Sequence, residues 1–499
     1  MFHFLSLLFI VAVTPVLNEI IFLPGGADDR ITTNVSHHST AYLCPGTFQY
    51  WFTGQVEQSD RFIPAKSKLP SDLTDTADSS AATAKSTKSA NSASTEAKLT
   101  GTPKEWNEAW SQQPIYQDEL PEEFAVRKHR IQQCLKNYYR HPVNADRLRP
   151  WSIMHGVLSF GRQSMVTTQG HHINAIDYLC ANGRGHDRQL LSLRNGKLSV
   201  NVGNGFQGHE GQLLAILAQV NAPIDHPIQW GDNHLTIADL VEYEKSTCIP
   251  RTELTFKLIG LSYYLSSDET WQDQRGGHWD IARLIEEELR QPINGAACGG
   301  THRLMGLSFS VAVRQSRGEP IDGAWKRAAQ FVNNYQKTAL RMINSDGTFS
   351  AEFFEGRSSS SDPIKLIYST GHALEWLAMS LDDETLLSAP VSAMVDALLQ
   401  LMESDFHPQR PLVGTDVGPK GHALRALRLY SLRMYEDTLD FQFQQFAVNK
   451  PLPQSELSKV LSTQPKIQLV NPDQNSSISD SVPNRSVFPV RGGRSMRRR

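Results

Sequence analysis

Two kinds of apolar segment alternate through the middle of the chain. In "PEEFAVRKHRIQQCLKNYY" (121–139), "PIDGAWKRAAQFVNNYQKTALRMI" (320–343) and "APVSAMVDALLQLMESD" (389–405), large apolar residues recur every three or four positions among polar ones. That spacing predicts helices buried along one stripe, the first with Pro121 and two acidic residues at its start. Between such stretches lie shorter segments that are apolar on every side. Aligned on one residue, they read "HGVLSFGRQS" from His155, "HEGQLLAILA" from His209, "ELTFKLIGLS" from Glu253, "HRLMGLSFSV" from His302, "HALEWLAMSL" from His372 and "HALRALRLYS" from His422. Five positions on, each is apolar: Phe160, Leu214, Leu258, Leu307, Leu377 and Leu427. The register recurs at roughly fifty residues, the scale of a helix pair with its connections. Strand-like alternation is sparse. The pattern therefore predicts an all-α fold of six helical hairpins, each pairing an apolar inner helix with an amphipathic outer one, and six such hairpins can close into an (α/α)6 toroid.

The ends of the chain read differently. Residues 1–23 carry an apolar run from Phe4 to Leu17, long enough for a signal-peptide core but short for a membrane span, so export or membrane association is expected if it acts as one and a cytoplasmic protein otherwise. Residues 24–63 give no structural signal. Residues 64–102 are rich in Ser, Thr, Ala and Lys with almost no large apolar side chain, the composition of a disordered linker. The helical body is expected over 103–448, followed over 449–499 by a disordered polar tail ending in "RGGRSMRRR".

A formal net charge of -3 leaves no general electrostatic footprint for nucleic acid. Only the arginine-rich end could touch an anionic surface. The five cysteines, Cys44, Cys134, Cys180, Cys248 and Cys298, are widely spaced and include no C-x-x-C pair, which argues against a disulfide framework or zinc knuckle. Most are expected to be small core residues.

The stretch "AWKRAAQFVNNYQKTALRMINSDGTFSAEFF" followed by "YSTGHALEWLAMSL" resembles a repeat of the α/α toroids, especially the terpenoid-cyclase and prenyltransferase type, with its turn at Asn344-Ser345-Asp346-Gly347-Thr348-Phe349. The resemblance implies that inner-helix N-termini gather at one end and line a cavity. Carried over, this places His155, His209, Glu253, His302, His372 and His422 around one mouth, each in the first turn of its helix. A helix N-terminus disfavours positive charge, so these imidazoles are expected to be neutral near pH 7 and able to act in catalysis. Glu210, Arg303 and Asp416 adjoin or precede the aligned histidines and are candidates for holding substrate.

The function expected is an enzyme acting on a glycan or other polyol by histidine-mediated proton transfer, as a lyase or epimerase, with no cofactor. The alternative is a non-catalytic binding or scaffold protein. A third reading uses "NGAACGGTHR", where Cys298 and His302 could ligate zinc. "MHGVLSFG" and "CGGTHRLMGLS" are similar to Gly-rich, His-containing turns of the zinc-containing lanthionine cyclases, another toroid group, although the Trp-Cys and Cys-His-Gly elements of that group are absent. The Asp-x-Asp-Asp acid of class II terpenoid cyclases is also absent, as are G-x-S-x-G, H-E-x-x-H and Walker-type motifs. The pair His171-His172 is a separate candidate for metal or substrate contact.

Overall fold

The computed structural model describes residues 115, 120–194, 197–230, 233–408, 412, 414–435 and 454–464. The export segment, residues 24–63, the linker over 64–102, Cys44 and the arginine-rich end lie outside the described residues. Among the described residues no helix is long and apolar enough to cross a membrane.

The fold is mainly helical, and the contrast between the two kinds of apolar segment becomes a contrast of layers. Helix α1 (Glu122–Tyr139) buries Phe124, Ile131, Cys134, Leu135 and Tyr138 along one stripe. By contrast α2 (Pro150–Phe160) buries all but one of its residues, Trp151 being the exception. The same difference separates α5 (Ile237–Ser246), α7 (Ile281–Leu289), α9 (Gly323–Met342) and α12 (Ala389–Asp405) from the inner α4 (Gln212–Gln219), α6 (Thr255–Tyr264), α8 (Thr301–Ser316), α10 (Pro363–Ser380) and α13 (Val417–Tyr435), whereas the short outer α3 (Ala175–Cys180) buries every residue but Asp177. A single turn, α11 (Asp383–Leu386), leads into α12.

Each inner helix packs on the next, α2 on α4, α4 on α6, α6 on α8, α8 on α10 and α10 on α13, and α13 returns to pack on α2. The outer helices cover the seams: α5 touches α4 and α6, α7 touches α6 and α8, and α12 touches α10 and α13. The tetrapeptide "GHAL" occurs twice, at 371–374 and 421–424, and each copy lies at one of these seams. A Cβ on Gly371 would sit 3.0 Å from the backbone of Ala423, and one on Gly421 would sit 3.1 Å from His155 Cβ and O. Glycine thus lets adjacent inner helices approach closely enough to bring the following histidines together. Gly421→Val is expected to force α13 from α2 and cost about 1–3 kcal/mol, read as a lowered thermal midpoint; an unchanged midpoint would show that the seam has slack.

Four short β-sheets among the described residues were not legible in the pattern. Strand β1 (Val143–Asn144) pairs in parallel with β2 (Met165–Thr168), which is antiparallel to β3 (His171–Asn174), with Thr168 opposite His171. The hairpins β4 (Leu191–Arg194)/β5 (Lys197–Val200), β6 (Pro227–Trp230)/β7 (Asn233–Thr236) and β8 (Thr270–Gln272)/β9 (His278–Asp280) are likewise antiparallel. The expectation of a purely α fold is corrected accordingly. Three of these hairpins end on the N-cap of an outer helix: Asn174 caps α3, Thr236 forms a capping box with Asp239 on α5, and Asp280 caps α7. Strands of three or four residues are too short for a period of two to declare itself.

The turn at Asn344–Phe349 places α10. Asn344 N donates to Thr348 O at 2.8 Å, Gly347 adopts a φ of 84°, and Phe349 N donates to Thr370 Oγ1 at 3.0 Å. Buried Phe349 is thereby fixed against α10 two residues before His372. Inside the stretch read as an unstructured tail, Gln454–Thr463 forms helix α14. Its Leu457 and Val460, three apart, are buried, and Gln464 donates to Tyr178 Oη at 2.7 Å. A short apolar stripe within a polar composition is enough to dock one helix.

Candidate functional site

His302 occupies the second position of α8, immediately after Cys298-Gly299-Gly300, whose φ angles are 51°, 61° and 80°. A left-handed cysteine is strained, and the strain is held by packing: a Cβ on Gly299 would lie 2.0 Å from Cγ of Phe353, itself at φ 52°. The bend folds Cys298 back toward α8 and α10. Ligand atoms of Cys298, His302 and His372 all lie within 4.8 Å of one another. His302 is 8% exposed, and among the described residues neither of its ring nitrogens has a hydrogen-bond partner.

The other histidines are oriented through Nδ1. In His155 it lies 2.7 Å from Trp151 O, and in His372 2.7 Å from Tyr368 O. Carbonyl oxygens only accept, so in both rings Nδ1 carries the proton and Nε2 keeps its lone pair. In His209, Nδ1 meets Glu253 Oε2 at 2.7 Å, and in His422 it meets Glu375 Oε2 at 2.6 Å. The rings form one contiguous group: the His302 centroid lies 5.4 Å from His209, 5.3 Å from His372 and 5.3 Å from His422, and His155 lies 5.3 Å from His422.

Burial pushes His155 and His422 down to about 3, aided in His155 by the neighbouring His422 and in His422 by Arg425. Burial and the surrounding imidazoles hold His302 and His372 well below the ordinary histidine range. These four rings are neutral near pH 7, as expected, but for another reason. Only His302 sits in the first turn of its helix. His209 and Glu253 precede α4 and α6, while His155, His372 and His422 lie further inside α2, α10 and α13. Desolvation, not the helix N-terminus, is the principal cause.

All five aligned histidines and Cys298 line one cavity, with Trp151 and Tyr368 among the other lining residues. Its volume is about 30 Å³, far below the ~300–1,000 Å³ of pockets for drug-sized ligands and on the scale of a water molecule or an ion. Glu253 is not in the lining; it holds His209 from behind. The candidate substrate residues are elsewhere. Arg303 Nε donates to Glu288 at 3.0 Å, and its other nitrogens engage Gln291 and the carbonyl of Pro292. Its guanidinium is thus engaged inside the fold, and Arg303 is not among the residues that line the cavity. Glu210 lies 3.9 Å from Lys257, and Asp416 lies 3.9 Å from Lys420; neither lines the cavity. His171 and His172 belong to β3, also away from it. Cys134, Cys180 and Cys248 are buried core residues as expected, whereas Cys298 faces the cavity.

Glu375 escaped the sequence reading. It is 3% exposed, and burial pushes its carboxyl up while Arg425, at 3.2 Å, pulls it back. Its signal was a lone carboxylate inside the apolar "HALEWLAMSL", three residues after a histidine. No family model, curated protein or solved structure matches this chain.

Proposed function

We propose that the chain is an (α/α)6 toroid whose histidine cluster is a transition-metal centre with Cys298, His302 and His372 as its first donors. The cyclic packing of six inner helices, with outer helices over the seams, supports the toroid. The observation that carries the metal is His302: a buried imidazole with no hydrogen-bond partner on either nitrogen among the described residues, beside a thiol and a second imidazole whose Nδ1 is already committed. Leaving a buried ring nitrogen unpaired costs roughly 1–3 kcal/mol, and a metal bond removes that penalty for the nitrogen that carries the lone pair. Tetrahedral donors at bonds of about 2.0–2.3 Å stand roughly 3.3–3.8 Å apart, so rotation of these side chains by about an ångström closes the set.

Three protein donors leave a fourth coordination position, to be filled by water or by a further side chain, and a cavity of this size accommodates either. Water there would suit the centre to Lewis-acid or metal-water catalysis, whereas a fourth side chain would make it a closed, structural centre. Proton transfer on a carbohydrate draws support from the neutral imidazoles, but a sugar ring is too large for the cavity and the arginine meant to hold it is occupied. A scaffold role without a ligand gives the unpaired His302 nothing to do.

The purified chain is expected to take up about one equivalent of zinc or cobalt, measured by elemental analysis after gel filtration. His302→Ala and Cys298→Ser, shown to be folded by circular dichroism, should lose at least about tenfold in affinity. A folded wild-type chain that retains neither metal would overturn the centre.

A further inference from the structure

On that reading of the cluster, we infer that His422 is a fourth donor of the centre and that Glu375, anchored by Arg425, is the positioning residue that turns its Nε2 inward. His422 stands out among the remaining histidines because its ring contacts those of both imidazole donors. Its centroid lies 3.8 Å from that of His372 and 5.3 Å from that of His302. His155 and His209 are more lateral, the first tilted against Trp151 with centroids 4.1 Å apart and the second against Phe256 at 4.7 Å.

An imidazole has two nitrogens, and in His422 one is committed. Its Nδ1 donates to Glu375 Oε2 at 2.6 Å, so the lone pair belongs to Nε2, and the side chain lines the same cavity as the three donors. Glu375 cannot readily turn away. Its other oxygen forms an ion pair with Arg425 Nη1 at 3.2 Å, and Arg425 also donates to Gln219 at the end of α4. Helix α10 thus supplies a donor, His372, and one turn later the carboxylate that orients the histidine of the adjacent helix.

A buried ion pair of this kind rarely exceeds an apolar pair in stability, because desolvating both charges offsets their attraction. Orienting a ligand is a role that an apolar pair could not fill. A carboxylate behind a histidine fixes the tautomer and increases the electron density on the coordinating nitrogen. The resulting set of one thiolate and three imidazoles selects zinc, cobalt or copper over magnesium and calcium, which take oxygen donors.

Cobalt(II) is the probe. The full chain, Glu375→Gln and His422→Ala would each be titrated with cobalt and followed by the visible d–d bands and the ultraviolet sulfur-to-cobalt band, with affinity from chelator competition. The wild type is expected to show intense tetrahedral bands. Both variants should bind about 10–100-fold more weakly, with altered d–d bands but a retained sulfur band from Cys298. A wild type that binds no cobalt sinks the metal centre itself, and this inference with it. If the wild type binds and both folded variants keep its affinity and spectrum, the centre stands but His422 and Glu375 do not belong to it. Should Glu375→Gln fail to fold, His422→Ala decides: an unchanged spectrum overturns the inference, a weakened and altered one supports it.

Discussion

Lowering the pH of the metal-free protein from about 7.5 to about 4.5 is expected to remove about 5 kcal/mol of folding stability. His155 and His422 titrate at about 3 in the folded protein, against about 6.5 in an unfolded chain. Below 6.5 the unfolded chain therefore binds two protons that the folded protein refuses. Stability is lost as pH falls through that window, at about 1.4 kcal/mol per pH unit for each group, and the loss ends only near 3. His302 and His372, also depressed by burial, act in the same direction. The loss is comparable with the whole stability of many domains, about 5–15 kcal/mol. Urea unfolding followed by far-ultraviolet circular dichroism at several pH values measures it, and His155→Gln should flatten the slope. Equal urea midpoints at the two extremes would mean that the cluster is hydrated and already titrates normally.

Glu288→Ala should be nearly as damaging, at about 3–5 kcal/mol. This side chain, contributed by α7, is fully buried and accepts from four donors: Leu254 N at 2.8 Å, Thr255 Oγ1, Arg303 Nε at 3.0 Å and Gln291 Nε2 at 3.4 Å. Its removal strands the buried guanidinium of Arg303 and uncaps the start of α6, next to the Glu253 that holds His209. Two residues earlier, Glu286 pairs with Arg327 at the surface, where the same substitution should cost less than about 1 kcal/mol. Urea midpoints of the two variants provide the comparison. If Glu288→Ala matched Glu286→Ala, the charge on Arg303 would have found water.

The inner helices were legible because burial on all sides forces apolar residues into every position, and a shared histidine fixed their register. Helix starts were not. α10 begins at Pro363 and α2 at Pro150, well before their histidines, because a helix can be extended at its N-terminus without changing which turn faces its neighbours. The convergence of the five histidines therefore survived an error in their helical position. Arg303 misled because adjacency to His302 in sequence says nothing about side: successive residues of a helix point about 100° apart. Glu375 and Glu288 were illegible individually, since a carboxylate's partner on another helix leaves no local trace. Cys298 gave half a signal. Its flanking glycines promised an unusual backbone, while the second imidazole came from a helix some seventy residues away.

The return of α13 onto α2 has a consequence for how the protein can evolve and be cut. In an open stack of repeats, deleting the last unit exposes one interface and leaves a shorter working array. Here loss of α13 would bare the faces of both α10 and α2 and would take His422 away from the other imidazoles. The first and last inner helices meet where His155 faces His422, so the full set of histidines exists only once the two ends of the folded body have found each other. A nascent chain released before α13 would carry most of the histidines and no complete cluster.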